Sequence, residues 1–416
     1  MPVIELNQLI KTIRSEKQVE ILAQQMQSIV TLMTKDPDAS INELTGKISG
    51  NLLATTNVPS SQLQETPLSN LVRNSKQRPN DIAVVFGESY LTFDKLEKQS
   101  NKVANFLTQF NDQVIGFCVP KSIDSLVYQI AIFKSACTYL PISETLPSNR
   151  KRLIARSSNA KVIFTNKELA SEFTLLGTEK VILIDDEVHI RQIENQSMIA
   201  STVENKRQAV ITYANGQLDV NNHHIWDAQK LYENASSVSK QFIINDQNKF
   251  LNWIPITFEL HIIELLVPLL LGSTIICERP EKLQKDVRGS LISTKVTYAF
   301  LNGTWFEKEC IIRDEVPDLQ HILLCGNMSS NLHESWDGVD VKKIFSLPGI
   351  SIVTFISNYK NNQPHHLGKP INSVNIYKLN TDKVAIRGES GELVTETNGK
   401  YKRSGIVARM IEDDVS

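Results

Sequence analysis

The 416-residue sequence has few cysteines, and no two of them stand at the short spacing of a metal-binding or redox motif. The five cysteines are scattered in or beside apolar runs: Cys118, Cys137, Cys277, Cys310 and Cys325. Zinc sites and disulfide frameworks need clustered or regularly spaced cysteines, so neither is predicted. This usage is typical of a protein in a reducing intracellular compartment.

Long apolar runs and an excess of charge of one sign are also missing. The most apolar run, 262–271, is too short to span a bilayer, and nothing at the N-terminus resembles a signal peptide. A formal net charge of -2 gives no electrostatic reason to expect nucleic acid or an anionic membrane as a partner. We therefore expect a cytoplasmic protein without nucleic-acid or membrane partners.

Three common catalytic loops do not occur in the sequence. It contains no G-x-S-x-G elbow of a serine hydrolase, no G-x-G-x-x-G dinucleotide loop and no Walker lysine loop. Functions that depend on these loops are therefore disfavoured.

The stretch from residue 114 to 165 predicts the fold class. An apolar run at 114–119 suits a buried strand, and the apolar residues of 122–136 recur at helical spacing. An extended segment follows, then a second helix that begins near Pro147, and 161–165 has the composition of another buried strand. Alternating strands and helices predict an open parallel α/β sheet.

The same alternation continues along the rest of the chain, which also has an N-terminal extension. Further strands are predicted at 181–184, 209–213, 273–277, 296–301, 321–325 and 352–356. Residues 15–35 predict an amphipathic helix, with Ser15 and Gln18 as a capping box. Residues 46–67 are rich in Ser, Thr, Asn and Gly, which is typical of a linker.

The segment FKSACTYLPISETLPSNRKRLIARSSNAKVIFT resembles the second core motif of the adenylation domains of nonribosomal peptide synthetases, members of the adenylate-forming superfamily. The matching positions are Lys134, Ala136, Tyr139, Pro141, Pro147, Arg152 and Leu153. The resemblance covers about 68–412 and implies a large N-terminal core at 68–416, built of two layered α/β subdomains and a small β-barrel-like part. It also implies that no C-terminal lid subdomain follows. Residues 1–67 resemble the last helix of a condensation domain and the linker into an adenylation domain.

Such enzymes join a carboxylate to the α-phosphate of ATP and release pyrophosphate, and the resemblance locates the degenerate remnants of the nucleotide site. Tyr213 precedes the expected phosphate loop, of whose glycines only Gly216 remains. Gly326 stands in a motif written "CGGE", and Tyr359 stands where a tyrosine stacks on adenine, but no Mg²⁺-binding acid follows it. Ile406 replaces the aspartate that binds the ribose hydroxyls, and an isoleucine offers no acceptor.

The resemblance also places a degenerate substrate pocket at Phe258 and Glu259. Members that activate amino acids carry an aspartate at the second position, which pairs with the substrate's ammonium group. Glu259 keeps that charge on a longer side chain; the alternative is a solvated or capping glutamate at the start of a helix over 259–271. His223 and His224 are neighbours that point apart, which favours surface or capping roles over a metal site.

These departures predict a noncatalytic pseudo-adenylation domain with no catalytic residue, no metal site and no cofactor. It would be a scaffold for condensation and carrier domains of a peptide synthetase assembly line, acting through 1–67 and one face. An alternative is a divergent active domain that activates an amino or aryl acid with ATP and Mg²⁺, completed by a C-terminal subdomain on another chain. A third is a small-molecule sensor that keeps the pocket behind Glu259.

Overall fold

A computed structural model describes most of the chain. The described residues are 16–37, 53–56, 65–173, 180–199, 209–213, 223–241, 247–304, 311–326, 336, 338–347, 351–358, 367–371, 373–379, 381, 384–385, 387, 390–397, 400–411 and 414–415. Contacts divide the chain into a small unit (1–59, 344–350 and 354–416) and a large unit (60–343 and 351–353).

The described helices and strands alternate through the large unit, and strands dominate the small unit. The helices are α1 (Glu16–Lys35), α2 (Pro67–Gln77), α3 (Phe93–Leu107), α4 (Ile123–Lys134), α5 (Ser148–Ser157), α6 (Glu187–Glu194), α7 (Ala228–Ser239), α8 (Leu260–Leu271), α9 (Pro280–Lys285) and α10 (Val287–Thr294). The strands are β1 (Thr55–Thr56), β2 (Ile82–Phe86), β3 (Ser89–Thr92), β4 (Val114–Phe117), β5 (Thr138–Pro141), β6 (Val162–Thr165), β7 (Lys180–Leu183), β8 (Val210–Tyr213), β9 (His223–Trp226), β10 (Lys249–Asn252), β11 (Thr274–Cys277), β12 (Tyr298–Asn302), β13 (His321–Cys325), β14 (Asp340–Leu347), β15 (Ser351–Asn358), β16 (Lys369–Pro370), β17 (Val374–Tyr377), β18 (Ser390–Thr397), β19 (Lys400–Ile411) and β20 (Asp414–Val415).

The large unit contains two layered sheets. In this unit the first sheet follows the order β14-β13-β12-β10-β11-β2-β3 and is parallel except for the β2–β3 hairpin. The second follows β7-β6-β4-β5-β8-β9 and is parallel except for β9. Strands β5, β6 and β8 are buried along their whole length, as expected of parallel strands between helical layers. The two layered α/β subdomains are thus confirmed.

The segment around α4 shows why this sequence folds as predicted. Ser122 caps α4 by accepting a hydrogen bond from the Ser125 amide at 3.0 Å, and the Ser125 hydroxyl accepts one from the Ser122 amide at 2.9 Å. Gly116 in β4 lies so close to the Ile163 side chain that a Cβ atom there would collide with it. The glycine therefore leaves room for the end of the Ile163 side chain beside β4.

The small unit is built on a five-stranded antiparallel sheet in the order β1-β17-β18-β19-β20. One face of it carries an apolar cluster that includes Phe355, Ile376, Leu393 and Met410. The small β part expected of the fold class is therefore present. Helix α1 is present as predicted, and its apolar residues Met26, Ile29, Val30 and Met33 are 40–59% exposed.

The predicted linker over 46–67 needs a local correction. Its residues Thr55 and Thr56 form β1, which pairs antiparallel with β17. The neighbouring Ala54 amide also donates to the Ala385 carbonyl at 2.8 Å. Polar composition alone indicated a linker, but backbone pairing with a distant strand is available to almost any residue type. Ser15 of the predicted capping box lies outside the described residues.

Candidate functional site

The candidate site lies in the large unit, where the β8–β9 hairpin meets the first turn of α8. The antiparallel register pairs Thr212 with His224 and Val210 with Trp226. Side chains alternate along a strand, so His224 and Trp226 share one face of β9. Glu259 immediately precedes α8, and its side chain reaches this face.

Four side chains form one hydrogen-bonded network at the site. The Thr212 hydroxyl donates to Glu259 Oε1, and His224 Nδ1 lies 3.1 Å from the same oxygen. The Trp226 indole donates to Thr212 Oγ1 at 2.9 Å. An ionised carboxylate can only accept, so the His224–Glu259 bond requires a proton on Nδ1. Glu259 is thus engaged by two donors from within the chain.

The network bears on one of the two interpretations of Glu259, the solvated or capping glutamate. Its side chain is 14% exposed and makes no capping hydrogen bond to α8. The Glu259 carboxylate is thus neither solvated nor a side-chain cap of α8, because it is bonded to the β8–β9 hairpin. Phe258 is 57% exposed, and its carbonyl accepts from His261 Nδ1 at 2.7 Å.

The two adjacent histidines have different environments, as neighbours on a strand must. His223 is exposed, and its ring centroid lies 6.0 Å from that of Tyr213. The His224 side chain is 9% exposed and faces Glu259 instead. The predicted surface role therefore holds for His223 but is wrong for His224, whose ring forms part of a buried polar network.

A second buried polar group connects the two sheets next to α8. Lys121 Nζ donates to Asn252 Oδ1 at 2.6 Å and lies 3.5 Å from Glu264 Oε2. The Ile254 amide donates to the same Glu264 oxygen at 2.9 Å. Burial raises the pKa of Glu264 to about 7, against the opposing effect of Lys121. The sequence motifs do not point to this group, although one acidic residue inside an apolar helical run is a recognisable signal.

His261, in the first turn of α8, is held neutral by its surroundings. Burial lowers the pKa of His261 to about 3. Its ring meets that of Tyr139 edge-on, with centroids 5.9 Å apart. Since the imidazole is neutral, it adds no positive charge next to Glu259.

The predicted nucleotide-site remnants fall into three groups. Tyr213 is anchored in the core, where its hydroxyl contacts Ser157 Oγ at 2.8 Å, and Gly326 follows β13 with a φ of 86°. Ile406 belongs to the small unit, where it packs against the apolar cluster. Gly216 and Tyr359 lie outside the described residues. Tyr213 thus follows Thr212 of the Glu259 network in β8, whereas Ile406 has an apolar packing role.

The described part of the chain offers neither a cluster of metal ligands nor a membrane-spanning helix. No group of three or more His, Cys, Asp or Glu side chains there could hold a metal ion. No helix in those same residues is long and apolar enough to cross a membrane.

Comparison with known sequences gives a consistent result. A profile of the family described as AMP-binding enzyme matches residues 71–402. Nonribosomal peptide synthetase fso1 from Omphalotus olearius is 30% identical over 400 residues, which are 92% of this chain and 9% of that protein. Bacitracin synthase 3 from Bacillus licheniformis is 23% identical over 325 residues, which are 76% of this chain and 5% of that protein. This chain therefore spans less than a tenth of these curated relatives.

Solved structures with the same fold extend the comparison. The nonribosomal peptide synthetase FmoA3, in an AMPPNP-bound form, matches 97% of this chain and 48% of its own with a TM-score of 0.77 and 15% identity. VinN matches with a TM-score of 0.73 and 13% identity, over 84% of this chain and 98% of its own. The N-terminal domain of FACL13 from Mycobacterium tuberculosis matches with a TM-score of 0.72 and 14% identity, over 84% of this chain and 99% of its own. At these identities the likeness concerns the fold alone.

Proposed function

Because this chain belongs to the AMP-binding enzyme family and has peptide synthetase relatives over most of its length, we propose that it is a noncatalytic adenylation-type domain. In this proposal it is a scaffold within a nonribosomal peptide synthetase assembly line. It neither binds ATP productively nor activates a carboxylic acid.

One observation carries the proposal: the carboxylate of Glu259 is already occupied. Thr212 and His224 both engage Glu259 Oε1, and the side chain is 14% exposed. A carboxylate that already has two hydrogen-bond partners within the chain has less to gain from pairing with the ammonium group of an amino-acid substrate. The residue best suited to bind that substrate is thus engaged inside the protein.

Two features of the expected nucleotide site support the same proposal. Residues 214–222 read ANGQLDVNN and contain one glycine and no lysine, whereas a triphosphate cradle needs several backbone amides and usually a lysine. Ile406 packs against the small unit's apolar cluster, and its side chain has no atom that can accept a hydrogen bond from a ribose. Positioning and charge stabilisation, on which phosphoryl chemistry depends, are both weakened.

The proposed partners follow from the architecture of the relatives. Relatives such as fso1 are synthetases of which this chain matches 9% of the length, so the matched region has neighbours in those proteins. We propose that condensation and carrier domains are the partners here, contacted through residues 1–67 and one face of the core.

A divergent active domain is the second candidate, and FmoA3 favours it, because a protein of this fold was solved with an ATP analogue bound. In that case ATP and Mg²⁺ would be cofactors, and an amino or aryl acid would be the substrate. Since the small unit's Ile406 provides no ribose acceptor, nucleotide affinity would then have to come from other groups.

Calorimetric titration of ATP, with and without Mg²⁺, distinguishes the two candidates. An intact adenylation domain of a peptide synthetase is the positive control. The scaffold proposal expects no saturable heat at millimolar nucleotide and no acid-dependent pyrophosphate exchange. Saturable, Mg²⁺-dependent binding together with exchange on any amino or aryl acid would establish the active alternative instead.

A further inference from the structure

We propose that helix α6 is an acid-sensitive flap, closed against α3 and α4 while the His189 imidazole is neutral and opened when that ring takes up a proton. The inference goes beyond the proposed scaffold role and does not depend on it, because α6 contains no residue of the Glu259 network. Opening uncovers the aromatic rings on which the imidazole rests.

The first observation is that α6 packs with a polar residue inward. His189 is 4% exposed and is the only buried residue among the eight of α6, all of which the structure describes. Its neighbours Val188 and Ile190 are 63% and 41% exposed. A surface helix ordinarily buries its apolar residues and exposes its polar ones. Where local pattern and packing disagree in this way, a functional or strained element is expected.

The second observation concerns the surface that receives the imidazole. Phe106 of α3, Tyr128 of α4 and Phe164 of β6 contact it, with ring centroids 4.9, 6.0 and 5.9 Å away. The Tyr128 hydroxyl lies 2.7 Å from His189 Nε2. Burial lowers the pKa of His189, so the closed flap holds a neutral ring whose Nε2 accepts from this hydroxyl. A second proton on the ring removes that acceptor and places a charge among aromatic rings, which burial disfavours.

The charged groups near the imidazole act in opposite directions. Asp186, which caps α6, favours the protonated ring, as does the Gln192 side chain, whereas Lys180 of β7 disfavours it. On α4, Asp124 lies one turn before Tyr128, and its charge acts on that hydroxyl. Burial is the largest of these effects, because the pKa of the imidazole is lowered despite the neighbouring carboxylate.

The third observation is that the chain is tied down on both sides of α6. Before the helix, the Asp185 carboxylate accepts from the Lys167 amide at 2.9 Å. At its end and beyond, α3 side chains donate to backbone carbonyls: Lys102 to Glu194 at 2.8 Å, Asn101 to Met198 at 2.9 Å and Asn105 to Ser197 at 2.8 Å. Opening is therefore confined to the helix between these bonds.

The response to pH has a definite sign and size. In the open flap the imidazole is in water, with an ordinary pKa of about 6.5. In the closed flap the pKa of His189 is lower, so the closed form is fully favoured above about pH 6.5 and loses ground as the pH falls. Between pH 7.5 and pH 5.0 the equilibrium constant for opening therefore rises by up to about 30-fold.

Amide hydrogen exchange of the full chain at pH 7.5 and pH 5.0 tests the flap. Each measured rate is divided by the intrinsic rate of its peptide at that pH, so that the ratio reports the equilibrium between closed and open forms. We expect the corrected exchange of 187–195 to rise at least tenfold at pH 5.0. Exchange of 148–157, which forms α5, should stay within twofold.

Two variants and one further measurement sharpen the test. His189→Gln keeps an acceptor for the Tyr128 hydroxyl but cannot take up a proton, so its 187–195 segment should exchange equally at both pH values. His223→Ala removes an exposed histidine and should keep the wild-type response. If His189→Gln does not fold, NMR titration of the His189 ring in wild type decides the matter. That ring should stay mostly neutral at pH 6.0, where histidine in an unfolded chain is mostly protonated.

Several results would overturn the inference. They are equal corrected exchange of 187–195 at the two pH values, an acid response that survives in His189→Gln, and a His189 ring that is mostly protonated at pH 6.0 while the flap is closed. An equal acid response in 148–157 would also do so, because it means unfolding of the whole unit. ATP calorimetry tests the scaffold role separately, so either proposal can fail while the other holds.

Discussion

The buried ion pair between α3 and α4 allows a sharp test of the packing of the large unit. Lys134 Nζ donates to Glu97 Oε2 at 2.5 Å, to Ser100 Oγ at 2.9 Å and to Asn101 Oδ1 at 2.7 Å. The side chains of Lys134 and Glu97 are 7% and 10% exposed. Burial lowers the pKa of Lys134, although Glu97 opposes the shift. We therefore predict that Lys134→Met strongly destabilises this unit.

The magnitude follows from what the substitution leaves behind. Methionine keeps most of the volume, so little of the loss comes from a cavity. Glu97 keeps one donor, the Asn101 amide at 2.9 Å, but loses its only charged partner among the described residues. Breaking a buried pair in this way costs about 3–5 kcal/mol. Lys134→Met with Glu97→Gln leaves no unpaired charge, so we expect that double variant to recover most of the loss.

Urea unfolding of the two single variants, the double variant and a surface control measures this. Lys98→Met is the control: on α3 it removes an i,i+4 pair with Asp94, in which the lysine side chain is 50% exposed. That change should cost less than about 0.5 kcal/mol. A Lys134→Met cost as small as that of Lys98→Met, or strictly additive effects in the double variant, would refute the reasoning.

Three further predictions follow from the buried groups. Because burial raises the pKa of Glu264 from 4.5 to about 7, the folded state binds its proton more tightly than the unfolded chain. The free energy of unfolding should therefore fall by about 3 kcal/mol as the pH rises through this window. Denaturant unfolding of Glu264→Gln should show no such dependence on pH, and an unchanged dependence would contradict the reasoning. Burial raises the pKa of the Cys118 and Cys277 thiols to about 12, so brief iodoacetamide treatment of the folded protein at pH 8 should leave both unmodified in mass mapping. A Cβ atom at Gly391 would lie 2.8 Å from the Tyr377 carbonyl carbon. We therefore expect Gly391→Ala to destabilise the small unit by about 2 kcal/mol or more. Unchanged protease resistance of 374–410 in this variant would contradict the prediction.

Most of the core could be predicted because local patterns and tertiary packing agree there. The predicted strand at 321–325 is β13 itself, and the predicted helix at 122–136 is α4 with Ser122 as its cap. Strands β10 and β14 were not predicted. β10 reads KFLN, with two apolar residues between polar ones, and β14 carries two adjacent lysines, so neither has a clear apolar period.

The sequence located the site but did not reveal the hydrogen bonds that its side chains make. Resemblance identified Glu259, whereas the bonds to Thr212 and His224 join residues 47 and 35 positions apart. Such contacts depend on how the β8–β9 hairpin packs against α8, and no local period encodes that packing. The Lys121–Glu264 pair is hidden for the same reason, although a lone acid in an apolar helix could have drawn attention to it.

Strand β1 has a consequence for anyone who recombines modules of this kind. A graft joint placed within 53–67, where composition alone indicates a linker, risks removing the two threonines that border β17. It would also cut the bonds of Ala54 to Ala385 and to Ile376, each 2.8 Å long. The edge of β17 at Val374 and Asn375 would then lose its partner strand and be open to pairing with another chain, which favours aggregation. Splice points upstream of residue 53 keep that edge covered.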